Sequence, residues 1–387
     1  MEKLNKLKKH VKSIIKPDTF IYKLLKKIYH VLSTAKYKIV NRAEMKKQNE
    51  YYTKQVKNAV DIINKKYIDA DYIVLYNPTW LGVANSTKGL FINIVPLEQV
   101  FGNKNVKLIA EAILNANIKR VVFSQIVDGW TDVLKYIKDK NKNIKIQVIW
   151  HANNYEVLSD YTWALNKNVL NLYNEKYIDC FAFVKKSMVE FYNRAGYKAK
   201  YLINNVNTEG IRKFESKKLD MNNIKVGAYN ANTRELKNIF TQLSSIRLIK
   251  NAEADIVPTN EAILQFVDII DLKNTNLPDY IPTKDLLERI QKNDINLYIT
   301  FTECSPMFPL ESFEMGVPCL VGNNNDYFQN TELGKYVIVD REDDAEYIKN
   351  KIMNCLENKE KVMQLYKEWK TNFDKKCKEY VKEFIEN

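Results

Sequence analysis

Short β-branched and aromatic runs alternate with helix-length amphipathic segments along most of this 387-residue chain. That alternation limits the possible folds more than any other feature. Tyr72–Tyr76, Arg120–Ser124, Lys145–Trp150, Cys180–Val184 and Lys200–Ile203 predict strands. Ile109–Asn115, Thr131–Lys138 and Lys186–Ala195 predict helices between them. Such a chain builds a parallel sheet with helices on both faces. Ligands then bind beyond the carboxyl ends of the strands. A polar, charged stretch over Thr208–Asn223 reads as an interdomain linker, and the pattern then resumes. Lys225–Tyr229 and Ala254–Pro258 predict strands, with a helix between them ending near Ile249. Thr283–Gln291 predicts a helix capped around Thr283, and Asp344–Leu356 and Lys359–Ile385 predict two more. No internal repeat is visible.

The stretch Leu297–Gly322, LYITFTECSPMFPLESFEMGVPCLVG, organises the second half. Leu297–Thr302 predicts a buried strand, Glu303–Pro309 a loop, Leu310–Met315 a short helix, and Cys319–Val321 a second strand. Pro309 suits the helix's first turn and Gly316 its C-terminal stop. Glu303 thus stands at a strand end and Glu311 in the first turn of a helix. A helix N-terminus offers unpaired N–H groups and partial positive charge, which favour phosphate. The two carboxylates add acceptors suited to sugar hydroxyls.

The two glutamates are separated by seven residues and followed by Gly316-Val317-Pro318. This resembles the Glu-x7-Glu signature of retaining, family-4-like GT-B glycosyltransferases, and the likeness runs from about Asp71 to the C-terminus. The resemblance implies an α/β fold of two Rossmann-like domains facing each other across a cleft. The chain would then comprise a basic helical arm over 1–50, which lies outside the resemblance, an acceptor-side domain over 51–208 and a nucleotide-sugar-binding domain over 209–358. A final helix over 359–387 would return to the first domain. It also implies metal-independent, retaining transfer of a sugar from a nucleotide-sugar donor to a glycan or lipid-linked acceptor, in polysaccharide or glycoconjugate synthesis.

By the same resemblance, Glu303 binds the donor sugar and Glu311 the nucleotide ribose. The family has Gly-Arg at the first strand end of its second domain and a lysine farther on, which together clamp the diphosphate. Lys237 matches the lysine. Ala228 follows Gly227 where the arginine is expected, and Arg234 can supply that charge from another position. Gly82, in Asn77-Pro78-Thr79-Trp80-Leu81-Gly82, takes the place of a glycine-rich turn near the donor phosphates. His151 follows the strand Lys145–Trp150 and matches a histidine beside the donor sugar; His10 and His30 both lie in the arm. Tyr201–Asn207 resembles the family's "IPNGVD" ending, with asparagines for its Gly and Asp.

Two classes compete with this reading. One is another GT-B-fold enzyme, such as a sugar-nucleotide epimerase or a polyol-phosphate polymerase. The other is a non-catalytic adaptor for a membrane or nucleic acid. The net charge of +13 is uneven, because residues 1–50 hold 14 Lys+Arg against 4 Asp+Glu. Leu4, Leu7, Val11, Ile14, Leu24, Leu25 and Ile28 recur at helical spacing among those lysines, a pattern that suits an anionic membrane surface. It equally suits a helix packed on the body with a solvated basic face. No nucleic-acid motif accompanies the charge, so no nucleic-acid partner is expected. Asp69-Ala70-Asp71 precedes a strand instead of following one, and no metal-ligand spacing is present, so no metal or other cofactor is expected. The five scattered cysteines predict free thiols in a reducing, cytoplasmic setting.

Overall fold

The computed structural model describes residues 47–155, 160–206, 211, 219–229, 235–279 and 281–386. The arm up to residue 46, Arg234 and most of the expected linker lie outside them. Two parallel sheets of six strands organise the described chain. The first holds β1 (Tyr72–Tyr76), β2 (Ile94–Pro96), β3 (Arg120–Ser124), β4 (Lys145–Trp150), β5 (Cys180–Phe183) and β6 (Ala199–Tyr201), in the order β2-β1-β3-β4-β5-β6. The second holds β7 (Ile224–Ala228), β8 (Ala252–Ile256), β9 (Asn274–Asn276), β10 (Ile295–Tyr298), β11 (Cys319–Gly322) and β12 (Ile338–Val339). Its order is β12-β11-β10-β7-β8-β9.

The central strands β3, β4 and β5 are apolar along most of their length because helices cover both faces. The edge strands β2, β9 and β12 have only two or three residues each, too short for a strand pattern, and β9 is wholly polar. The expected strand Leu297–Thr302 leaves the sheet at Tyr298. Beyond it, the Ile299 amide donates to Gln242 Oε1 (3.2 Å) and the Phe301 amide to Leu236 O (2.9 Å), so neither joins the ladder. The helix expected to be capped around Thr283 is instead preceded by Pro282, with no side-chain cap.

Each sheet has its own core. A helix over 47–66 buries Val56, Ala59 and Ile63 against the first. The last helix, Lys359–Ile385, packs in the second core and in a separate, smaller cluster on the first sheet. Tyr366 stacks on Phe313 at 4.4 Å in the second domain. One end of the helix buries Phe384 with Val74, Val122 and Ile149 in the first domain, where Gln147 Nε2 donates to Phe384 O (2.6 Å). The helix therefore contacts elements of both sheets. Among the described residues, no helix is long and apolar enough to cross a membrane. The five cysteines are buried, and no disulfide joins them.

Candidate functional site

Counted from β7, the second sheet runs 3-2-1-4-5-6, so its direction of winding reverses between β7 and β10. The loops leaving the carboxyl ends of those two strands part there and leave room for a ligand. The loop after β7 ends in a single turn, Glu235–Lys237, which buries Lys237. The loop after β10 brings Glu303 to the same place. Lys237 Nζ pairs with Glu303 Oε1 and also contacts the Tyr298 hydroxyl at 3.1 Å. Tyr298 in turn donates to Glu303 Oε1 at 2.9 Å. The lysine and the carboxylate thus neutralise each other in a mostly buried position.

Glu311 lies in the first turn of the helix Phe308–Glu314. Burial pushes its carboxyl up to about 7. The Phe308 ring lies 5.6 Å from Tyr298, stacked, and 5.5 Å from Tyr229. The Tyr229 hydroxyl is fixed on Asp255, which Arg289 Nε grips at 2.9 and 3.1 Å. Gly227 has a packing reason of its own, because the Asn296 and Tyr229 side chains occupy the space a Cβ would need.

The first sheet supplies the opposite wall. His151 follows β4, and its amide donates to Gln125 Oε1 at 3.2 Å. Its Nε2 lies 2.9 Å from Ser124 Oγ at the end of β3. Burial lowers the imidazole to about 4, so the ring is neutral near pH 7. Gly82 sits in the first turn of the helix Leu81–Leu90, with open space where a Cβ would be. A cavity of about 420 Å³ lies between the walls, with Gly82 and His151 on one side and Glu303 and Glu311 on the other. Lys237 does not line it; it stands against Glu303. Arg234 falls outside the described residues. Asp69 and Asp71 lie at the opposite end of β1, held by Asn117 (2.8 Å) and Lys119 (2.7 Å), away from the cavity.

No family model matches the chain, and no curated protein does. Solved structures do match. HepE from Anabaena, in complex with UDP-glucose, aligns with TM-score 0.57 and 11% identity over 81% of this chain and 99% of that one. Trehalose-6-phosphate synthase OtsA aligns with TM-score 0.53 and 10% identity over 81% and 98%. Sucrose-phosphate synthase from Thermosynechococcus elongatus aligns with TM-score 0.52 and 14% identity over 76% and 79%. The chain has the GT-B fold. At these identities the likeness is one of architecture, and it places the cavity in the cleft between the two GT-B domains.

Sequence reasoning missed the residues that tie this GT-B cleft together. Lys185, after β5 in the first domain, donates to the backbone oxygens of Glu303 (2.9 Å) and Asn324 (2.8 Å) in the second. Asn153 Nδ2 donates to Thr302 Oγ1 at 3.0 Å. Asn204 donates its amide to Ser305 Oγ (2.9 Å) and its Nδ2 to Ser305 O (2.8 Å). The loop that carries Glu303 is therefore held from the opposite domain on three sides. One signal was available. Lys185 and Lys186 open a helix, where positive charge opposes the helix dipole and calls for another partner.

Proposed function

We propose that the protein transfers a sugar from a nucleotide-sugar donor to a glycan or lipid-linked acceptor, without a metal and with retention at the donor carbon. The observation that carries this reading is the convergence of Glu303 and Glu311 on one GT-B cleft cavity, facing His151. HepE, of like fold, was solved with UDP-glucose.

In this reading Glu311 accepts hydrogen bonds from the ribose hydroxyls, and the wall of Tyr229, Phe308 and Tyr298 receives the base. Glu303 accepts from the sugar hydroxyls, and His151 stands beside the sugar. Arg234 neutralises the diphosphate together with Lys237, which has to turn from Glu303 to the donor when the donor binds, and Gly82 lets the backbone of the first domain approach it. The bond between the sugar's anomeric carbon and the diphosphate oxygen breaks, and a bond from that carbon to the acceptor oxygen forms on the same face. The departing diphosphate oxygen takes the acceptor's proton. The protein contributes alignment and stabilisation of charge on the leaving group. A neutral imidazole fits this division of labour, because no protein acid is required. The work would serve surface polysaccharide or glycoconjugate synthesis. We place it at the cytoplasmic face of a membrane, with residues 1–50 on the anionic surface.

A thermal-shift screen against UDP-, GDP- and CMP-sugars in EDTA tests the reading. Stabilisation by one nucleotide class, lost in Glu311→Ala, is expected. No shift with any of them, with unaltered liposome binding by the whole chain, would favour the adaptor class instead.

A further inference from the structure

We propose that Thr87 and Ser124 set the tautomer of His151, so that the ring meets the donor sugar as a hydrogen-bond acceptor through Nδ1. The chain of hydrogen bonds leaves one consistent arrangement of protons. Thr87 Oγ1 lies 2.7 Å from Val83 O, and a carbonyl oxygen can only accept. The single hydroxyl proton of Thr87 is therefore committed to Val83. Ser124 Oγ lies 2.6 Å from Thr87 Oγ1, and with the Thr87 proton engaged, Ser124 must donate. Ser124 Oγ also lies 2.9 Å from His151 Nε2, and with its own proton engaged it can only accept there. His151 therefore carries its proton on Nε2. In a neutral ring that leaves the lone pair on Nδ1.

The setting keeps this order in place. Thr87 is 0% and Ser124 1% exposed, so water cannot compete for either hydroxyl. Thr87 lies in the helix Leu81–Leu90 and Ser124 at the end of β3, so two rigid elements hold the relay. His151 lines the cavity, and no hydrogen bond to Nδ1 is made among the described residues. Thr87 and Ser124 are positioning residues: Ser124 touches the ring, Thr87 touches Ser124, and neither lines the cavity. The assignment to the sugar rests on the donor-site reading above; the tautomer itself does not. A ring fixed this way selects a donor with a sugar hydroxyl at that point and rejects one carrying an ether or fluorine there.

The test is a long-range 1H–15N spectrum of the full chain near pH 7. The protein has three histidines, so His151→Gln identifies the resonances. The expected wild-type spectrum shows His151 neutral with its proton on Nε2. Thr87→Val frees the Ser124 proton to point at Nε2, and the ring should shift toward the Nδ1–H form. Thr87→Ser should restore the wild-type pattern. With a donor nucleotide sugar, Thr87→Val should raise KM roughly two- to twelvefold, the loss of one neutral hydrogen bond, with kcat little changed. A wild-type Nδ1–H or cationic ring overturns the tautomer assignment, and it does so whether or not any variant folds. An Nε2–H wild type whose Thr87→Val spectrum is unchanged overturns the relay. The expected spectra with no response of donor KM overturn only the link to the sugar.

Discussion

Lys237 and Glu303 form a mostly buried ion pair at the point where the second sheet reverses its winding, with the Tyr298 hydroxyl bonded to both. Removing one partner strands the other's charge in a poorly hydrated place. Lys237→Met should therefore destabilise the fold by about 3–5 kcal/mol. The double variant Lys237→Met with Glu303→Gln should recover a large part of that loss. Urea unfolding of the four proteins checks this. Additive single effects would mean that the pair is not coupled.

Glu311 makes a prediction with a definite sign. Burial raises its carboxyl from 4.5 to about 7. Between those values the unfolded chain releases its proton while the folded chain keeps it. Stability from this group thus falls as pH rises from 4.5 to 7 and is level above that. Glu311→Gln should flatten that slope in unfolding experiments. If Glu311 binds the ribose as proposed, the hydroxyls bind its ionised form, so affinity for free nucleotide should rise as pH passes through 7 and then plateau. In Glu311→Ala, affinity above that pH should drop by roughly 1.5–3 kcal/mol, and its pH dependence should vanish. Calorimetric titration across pH measures both. A pH-independent wild type would remove Glu311 from the ligand.

Lys185 reaches across the cleft to the backbone of Glu303. Lys185→Met releases the loop without touching the cavity wall. Misplacement of a substrate-binding group by about an ångström costs up to roughly a hundredfold in rate. We expect kcat to fall roughly ten- to a hundredfold while affinity for free nucleotide, held by Glu311, is kept. Equal losses in both would indicate general disruption of the domain.

Much of this arrangement was legible in the chain. β1, β3 and β4 lie where their apolar runs predicted, because burial on both faces leaves an uninterrupted signal. Glu303 and Glu311, singled out by their spacing, both line one cavity; their roles there stay a proposal. The edge strand Asn274–Asn276 was invisible, since three half-solvated polar residues look like a loop. Lys237 was expected at a phosphate and is found against Glu303. Sequence spacing shows that a cation is near but not which anion it meets first. The ties from Asn153, Lys185 and Asn204 were illegible because they span 149, 118 and 101 residues, farther than any local pattern reaches.

The arm yields a separate prediction. If residues 1–50 dock on anionic lipid, binding to phosphatidylserine vesicles should fall steeply with salt, since screening acts over roughly 8–10 Å at physiological ionic strength. Deleting residues 1–46 should abolish vesicle binding and leave transfer to a soluble acceptor largely intact. Every proposed site residue lies beyond residue 80, and the helix over 47–66 is kept. Vesicle binding that survives the deletion would contradict the membrane role of the arm.

On the proposed reading, Glu303 and Glu311 make this cleft a nucleotide-sugar transfer site. Nucleotide release from UDP-, GDP- and CMP-sugars in EDTA, compared between wild type and Glu303→Gln, tests it most directly. The wild type should consume one donor class. Glu303→Gln should slow that release roughly a hundredfold or more while still binding the free nucleotide. Equal turnover by the two proteins, or none with any donor, would contradict it.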